Sequence, residues 1–166
     1  MTKPKAAIIL AAVLIVFGVA YAISQQRDNN SQSETSVEQT SQNRGSTLDL
    51  SNKQLTQLPD SALSDTGIAQ LNISNNQLTD LPEDISRLQK LEVLNVENNR
   101  LSSIPGTIGQ LKNLTTLDLS NNRLESLPSE LGNLTQLKTL KLSGYKGPQS
   151  DIEQLKNKLP NTEITT

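Results

Sequence analysis

The sequence predicts an α/β solenoid, with short parallel strands on a concave face, 3₁₀ or short helices on the convex face and a C-terminal capping helix, preceded by one N-terminal transmembrane helix. Three observations predict this architecture: an uncharged apolar run over residues 6–23, a polar stretch over residues 24–44, and apolar residues that recur every 23 positions over residues 45–166. A fixed recurrence of this size is typical of architectures in which each unit stacks only on its neighbours.

The N-terminal run begins at Ala6 and ends at Ile23, and 17 of its 18 residues are apolar. As a helix it would be about 27 Å long, close to the thickness of a bilayer core of about 30 Å. Lys3 and Lys5 precede the run, whereas Arg27 is the one basic residue that follows it closely. This asymmetry predicts a signal anchor in the lipid bilayer, with a cytoplasmic N-terminus and the rest of the chain outside the cytoplasm.

The same segment also fits a cleavable signal peptide. Ala20, Tyr21 and Ala22 resemble the small-residue site at which such peptides are removed. Cleavage near Ala22 would release a secreted protein. The sequence therefore leaves two alternatives for residues 1–23, a transmembrane signal anchor and a signal peptide.

Residues 24–44 are predicted to be a disordered linker. Of the 23 residues from Ser24 to Ser46, 16 are Ser, Gln, Asn or Thr, and Val37 is the one large apolar residue. Such a composition cannot bury enough apolar surface to fold. As a flexible coil the linker would separate the following domain from the bilayer by roughly 25 to 30 Å.

Apolar residues recur at a spacing of 23 throughout the C-terminal region. The rows are Ile68, Leu91, Leu114 and Leu137; Leu48, Leu71, Leu94, Leu117 and Leu140; Leu50, Ile73, Val96, Leu119 and Leu142; and Leu55, Leu78, Leu101 and Leu124. In each L-x-L segment the two apolar side chains point to one side of a strand and the residue between them to the other. A proline row, which consists of Pro59, Pro82, Pro105 and Pro128, is predicted to open the convex helical turns.

The third and fourth units read LEVLNVENNRLSSIPGTIGQLKN and LTTLDLSNNRLESLPSELGNLTQ. Both follow L-x-x-L-x-L-x-x-N-x-L, continued by x-x-L-P-x-x-I-x-x-L-x-x. The sequence resembles the leucine-rich repeat family in its 23-residue Leu-Pro variety, and in particular membrane-anchored or secreted bacterial-type members. The resemblance covers about residues 45–166, and it implies a protein-interaction module in which Asn76, Asn99 and Asn122 form a buried structural ladder. Asn also suits the bend after each strand, because it tolerates left-handed backbone angles.

Departures from the repeat mark the two ends of the solenoid. In the first unit we expect Leu63 to turn inward in place of missing core residues. At the other end we expect Ser150 and Glu153 to form a capping box at the start of a helix. The apolar face of that helix would consist of Ile152, Leu155 and Leu159. Residues 149–166 are thus predicted to be a C-terminal cap, with a last short strand over residues 162–165.

The composition excludes most catalytic chemistry. The chain has no His and no Cys, which excludes imidazole bases, thiolate nucleophiles and the usual zinc and iron–sulfur ligands. We predict no catalytic residue, no metal site and no cofactor, and therefore no enzyme. The 15 basic and 17 acidic residues leave a formal net charge of −2, which argues against nucleic acid as a partner.

Residues that alternate with the strand leucines are predicted to face solvent, and we call this surface the strand face. Its rows are Thr47, Gln70, Val93, Thr116 and Thr139; Asp49, Asn72, Asn95, Asp118 and Lys141; and Ser51, Ser74, Glu97, Ser120 and Ser143. The candidate binding residues are Asp49, Asn72, Asn95, Glu97, Asp118 and Lys141. The strand face lacks Trp, Tyr and Arg, which predicts moderate affinity. This inside–outside assignment also predicts that Asn99→Ala destabilises the fold and that Asn95→Ala does not.

These observations predict a non-enzymatic module that binds a protein or peptide through its concave strand face and is displayed outside the cytoplasmic membrane. The alternative is a secreted structural or adhesion protein, processed near Ala22. A further alternative is that the polar residues of the strand face serve solubility alone.

Overall fold

Short strands form a parallel sheet along one side of the solenoid. The computed structural model describes residues 45–166. Within this range the strands are β1 (Ser46–Asp49), β2 (Ile68–Asn72), β3 (Val93–Asn95), β4 (Thr116–Asp118), β5 (Thr139–Lys141) and β6 (Glu163–Thr165). They pair in chain order as a 6-stranded sheet, and each pair is parallel. The solenoid prediction is confirmed for these residues.

The 23-residue recurrence sets the register of the sheet. Leu71, Leu94, Leu117 and Leu140 are direct neighbours on successive strands. Each of these leucines is at most 1% exposed, and Val96 is fully buried. The leucine rows therefore form one continuous core, as the alternation of side chains along a strand requires.

Helical turns carry the chain from each strand to the next. They are α1 (Asp60–Ser64), three 3₁₀ helices (Glu83–Arg87, Gly106–Gln110 and Ser129–Asn133) and α2 (Gln149–Lys158). Each begins directly after a proline in extended conformation. The ring of proline fixes φ near the value required there. Ile85, Ile108 and Leu131 on the 3₁₀ helices are fully buried in the same core as the strand leucines.

Gly109 lets two neighbouring 3₁₀ helices approach closely, because a Cβ atom there would overlap the main-chain carbonyl oxygen of Glu130. We expect Gly109→Ala to lower the free energy of unfolding by about 1–3 kcal/mol, because the backbone must shift to admit the methyl group. Gly132→Ala is the matched control. Its Cβ would meet the side chain of Lys158, which can move, so the loss should stay within about 0.5 kcal/mol. Urea denaturation of both variants tests this, and equal losses would contradict it.

The first unit is covered in part by α1. Ala62 and Leu63 are each 3% exposed, so Leu63 turns inward as expected. Leu48, Leu50 and Leu55 are only partly buried and pack against the edge of the core. The N-terminal edge is therefore less completely covered than the repeats that follow.

Helix α2 closes the other end by burying Ile152, Leu155 and Leu159. The predicted capping box is wrong: the helix begins one residue before Ser150, and no side chain caps its first turn. Pro148 precedes the helix and shifts its start, so Ser150 lies inside the first turn.

Asp151 on α2 makes the contacts that join the cap to the repeats. Its Oδ2 accepts hydrogen bonds from the main-chain N–H of Leu127, at 3.0 Å, and from the hydroxyl of Tyr145, at 2.5 Å. Tyr145 occupies the register position of the ladder asparagines and is partly buried against the core. One carboxylate thus joins the last repeat, the loop before α2 and α2 itself.

Because of Tyr145, we expect the stability of this cap to decrease at alkaline pH. Burial, followed by the hydrogen bond to Asp151 and its charge, raises the pKa of Tyr145 above its usual value. Stabilisation is complete below the unfolded pKa of about 10 and decreases as the pH rises above it, because only the unfolded chain then ionises readily. We expect Tyr145→Phe to lose less stability than the parent between about pH 9 and pH 11. Urea midpoints at the two pH values measure this, and a constant difference between the two proteins would contradict it.

The predicted signal anchor or signal peptide over residues 1–23, and the predicted linker over residues 24–44, lie outside the described residues. Across residues 45–166, none of the helices has the length and apolar character required to cross a membrane.

Candidate functional site

At the ends of strands β1 to β4, the middle-row residue of the strand face forms a hydrogen bond with its own backbone. Oδ1 of Asp49, Asn72, Asn95 and Asp118 accepts the N–H of the residue two positions later, at 2.9, 3.1, 3.0 and 3.0 Å. Either Asp or Asn supplies this oxygen, which explains why both occur in the row. Sequence reasoning treated these residues as ligand-binding and missed this structural role. The alternation of Asp and Asn at one repeat position was the available signal.

Asp49 shows the electrostatic effect of this turn. The N–H of Ser51 is the main cause that holds the pKa of Asp49 below its usual value, and the Asn72 side chain and the charge of Lys53 act in the same direction. Asp49 therefore stays ionised, with one carboxylate oxygen bound to its own backbone.

Asp118 does not project freely into solvent, which corrects the prediction for this residue. It is only 6% exposed. Its Oδ2 lies 3.2 Å from Nζ of Lys141, which is its direct neighbour on β5. This ion pair links adjacent strands and orients both side chains. Lys141 is the more accessible of the two residues.

The accessible centre of the strand face lies on β2, β3 and β4. Gln70 is exposed, whereas Val93, Asn95, Glu97 and Thr116 are half-buried. No hydrogen bond within residues 45–166 uses Nδ2 of Asn95. Glu97 receives weak contacts from the amides of its neighbours Asn98, at 3.3 Å, and Asn121, at 3.5 Å. The centre thus combines an amide donor, a carboxylate acceptor and an apolar Val93, a combination that suits a polypeptide surface.

The ladder asparagines point inward and join each unit to the one before it. Oδ1 of Asn99 accepts the N–H of Leu78, and its Nδ2 donates to the carbonyls of Ile73 and Val96, each at 3.0 Å. Asn76 and Asn122 make equivalent bonds. Asn76 and Asn99 are buried, at 7% exposed each, whereas Asn122 is half-buried, which corrects the prediction of a fully buried ladder. Their role in the described residues is structural.

The left-handed turn after each strand is made by a different asparagine from the one expected. The residues with positive φ that recur in register are Asn52, Asn75, Asn98 and Asn121, with values of 55° to 57°, and Gly144, at 83°. Each precedes the ladder position by one residue. In the first unit Gln54 also has a positive φ, of 58°. The sequence did contain a signal for this difference. Gly144 stands at the position of the first asparagine of each Asn-Asn pair, and glycine is the residue that adopts positive φ most readily.

The described residues contain no cluster of acidic side chains with the spacing of a metal site. Within residues 45–166, no group of three or more acidic side chains lies close enough together to hold a metal ion. The polar side chains of the strand face can donate and accept hydrogen bonds and present charge.

Comparisons with known proteins agree with this geometry. Residues 66–159 match the family described as a leucine-rich repeat region. A solved leucine-rich repeat protein from Leptospira interrogans is 37% identical, with a TM-score of 0.65 over 68% of this chain. An internalin from Listeria monocytogenes is 28% identical, with a TM-score of 0.56 over 66% of this chain. The chain covers 29% and 31% of the lengths of these two proteins. No match was found among curated proteins.

Proposed function

Because this chain belongs to the leucine-rich repeat family, whose members generally act in protein binding, we propose that it is a non-enzymatic module that binds a protein or peptide through its strand face. The observation that carries the proposal is the two-sided sheet. One side of strands β2 to β5 is buried as leucine core, and the other side carries mainly polar side chains around the accessible Val93.

The dimensions of the strand face favour a small contact. Six strands spaced about 4.8 Å apart make a ribbon roughly 24 Å wide. This is enough for an extended segment or the edge of one domain. Trp, Tyr and Arg are absent from the strand face, and these residues dominate tight interfaces. We therefore propose moderate affinity, strengthened where several copies of the protein are displayed together.

Site-specific photo-cross-linking tests the binding face. A benzophenone amino acid placed at Val93 should capture a partner, whereas the same group at Gln110, which is exposed on the second 3₁₀ helix, should not. Thr116→Lys should abolish capture from Val93, because residue 116 is its direct neighbour on β4. Equal capture from both positions, or capture from Val93 that persists in the Thr116→Lys variant, would contradict the proposal.

For the N-terminal region, we propose that residues 6–23 anchor the protein in the membrane and that residues 24–44 hold the repeat domain, residues 45–166, outside the cytoplasm. The 18-residue apolar run and the two lysines before it support this orientation. A secreted protein cleaved near Ala22 is the alternative.

Fractionation of cells that express the full chain tests the anchor. We expect membrane association that resists carbonate extraction, with a repeat domain open to external protease. A variant with Leu14→Lys and Ile15→Lys should leave the membrane fraction, because each central lysine opposes insertion by about 2.5–3.5 kcal/mol. Recovery of a shortened soluble parent chain, with an N-terminus near Ile23, would support the secreted alternative instead.

A further inference from the structure

A second exposed row lies on the flank of the solenoid, one residue after the ladder position of each unit. We call it the flank row, and it consists of Gln54, Gln77, Arg100, Arg123 and Lys146. Gln77 is half-buried and the other four are exposed. The row is neutral in the first two units and cationic in the last three. The charge at this repeat position therefore changes along the solenoid.

The two arginines are held in equivalent positions. The N–H of Arg100 donates to the carbonyl of Leu78, and the N–H of Arg123 donates to the carbonyl of Leu101, both at 2.9 Å. The two side chains therefore start from stacked positions about 4.8 Å apart, the spacing of neighbouring strands. The two guanidinium groups carry like charges on adjacent units, and like charges repel one another, so their mutual interaction does not stabilise the fold.

Within residues 45–166, Arg100, Arg123 and Lys146 form no ion pair. The ion pairs in this range join Arg87 to Asp84 and Lys141 to Asp118. Glu97 lies near the row but contacts the amides of Asn98 and Asn121 instead. Glu125 follows Arg123 by two residues and forms no ion pair with it. The three cationic groups are therefore open to a partner.

We propose that Arg100, Arg123 and Lys146 form a docking surface for an acidic segment of a partner protein. The planar guanidinium of each arginine matches a carboxylate through two parallel hydrogen bonds. An extended acidic segment presents carboxylates on one side at intervals of about 6.6–6.8 Å, which two long arginine side chains can reach from adjacent units. This surface is separate from the strand face, and the inference does not depend on the function proposed for that face.

The surroundings of the row favour a polypeptide over a membrane or nucleic acid. The cationic surface is a single narrow row on a chain of net charge −2, whereas lipid surfaces and nucleic acids are bound by broad basic patches. Exposed Asn98, Asn121 and Ser102 border the row. The side-chain carbonyl oxygens of Asn98 and Asn121 and the hydroxyl of Ser102 can form hydrogen bonds with the backbone of a peptide.

Titration of the full chain, in neutral detergent, with a dye-labelled oligoglutamate peptide tests the docking surface. The double variant Arg100→Gln/Arg123→Gln should bind the peptide about tenfold more weakly, in line with the loss of two charge-assisted contacts. Glutamine already occupies this position at Gln54 and Gln77, so the double variant should keep its melting temperature. The matched control is Arg87→Gln, which removes a like charge from the 3₁₀ helix side and should alter affinity less than about twofold.

Comparison of these variants distinguishes binding at the flank row from nonspecific attraction between the peptide and any basic residue. If the double variant is unstable, Arg123→Gln alone should still weaken binding by about threefold. Unchanged affinity of the folded double variant, or an equal loss in Arg87→Gln, would overturn the proposal. Tighter binding to mixed micelles that contain phosphatidylserine than to oligoglutamate would also overturn the proposal, if the binding to micelles depended equally on Arg100 and Arg123. The strand-face cross-link from Val93 should remain in all of these variants.

Discussion

Asn99→Ala is expected to lower the free energy of unfolding by about 3 kcal/mol. The substitution removes the acceptor for the N–H of Leu78 and the donor to the carbonyls of Ile73 and Val96. Asn99 is only 7% exposed, so water cannot easily replace these partners. The N–H of Leu78 is left without a partner, which is destabilising by about 1–3 kcal/mol. The carbonyls of Ile73 and Val96 keep the bonds from Asn76 and Asn122, so each of them loses one of two hydrogen bonds. Urea denaturation followed by circular dichroism measures the change.

Asn95→Ala is the matched control for Asn99→Ala. Asn95 is half-buried on the strand face, and its side chain makes one bond, at 3.0 Å, to the N–H of Glu97. We expect a loss of about 1 kcal/mol or less, typical of one hydrogen bond with access to water. This revises the expectation from the sequence that Asn95→Ala has no effect. Equal losses in the two variants would contradict the assignment of one row to the core and the other to the surface.

Asp151→Ala is expected to lower the free energy of unfolding by about 2–3 kcal/mol. The N–H of Leu127 and the hydroxyl of Tyr145 both lose their charged acceptor, and hydrogen bonds to charged groups contribute about 1.5–3 kcal/mol each. Because these bonds tie α2 to the last repeat, we also expect the amide hydrogens of α2 to exchange faster than those of β3. Hydrogen exchange by mass spectrometry measures this difference.

Glu153→Ala serves as the control for Asp151→Ala. Glu153 lies on the same helix and is exposed, so its removal should change stability by less than about 0.5 kcal/mol. Uniform loss of protection along the whole solenoid in Asp151→Ala, with no preference for α2, would show that the carboxylate does not act on the cap.

The architecture of residues 45–166 follows almost directly from spacing. A recurrence of 23 places leucines in the same position of successive units, so that Leu94 must lie beside Leu71 and Leu117 once the strands pair in parallel. The alternation within L-x-L then decides which side chains are buried. The cap was predictable for the same reason, because Ile152, Leu155 and Leu159 share one helical face.

Details that depend on local hydrogen bonds were harder to predict. Asp118 follows the alternation rule for an outward residue, yet it is buried by its pairing with Lys141. Ser150 fits a capping box in sequence, but Pro148 moves the start of the helix. In both positions a neighbouring residue decides the outcome, and periodicity carries no information about such pairwise effects.

The strand face was predicted in outline and incorrectly in detail. Most members of its rows are exposed or half-buried, but Ser74 and Ser120 are each only 5% exposed. Asn72 and Asn95 also close turns with their own backbone. Asparagine at a strand end suits both roles, a turn and a ligand contact. The cationic flank row was missed because Arg100 and Arg123 lie outside the L-x-L segments that define the repeat.

The side-chain bonds of the ladder reach back by one unit only: Asn76 to Leu55, Asn99 to Leu78 and Asn122 to Leu101. Duplicating or deleting one whole unit of 23 residues would therefore preserve this pattern of ladder bonds. An insertion of any other length would bring unlike residues together at the junction. Each added unit would widen the strand face by one strand, or about 4.8 Å.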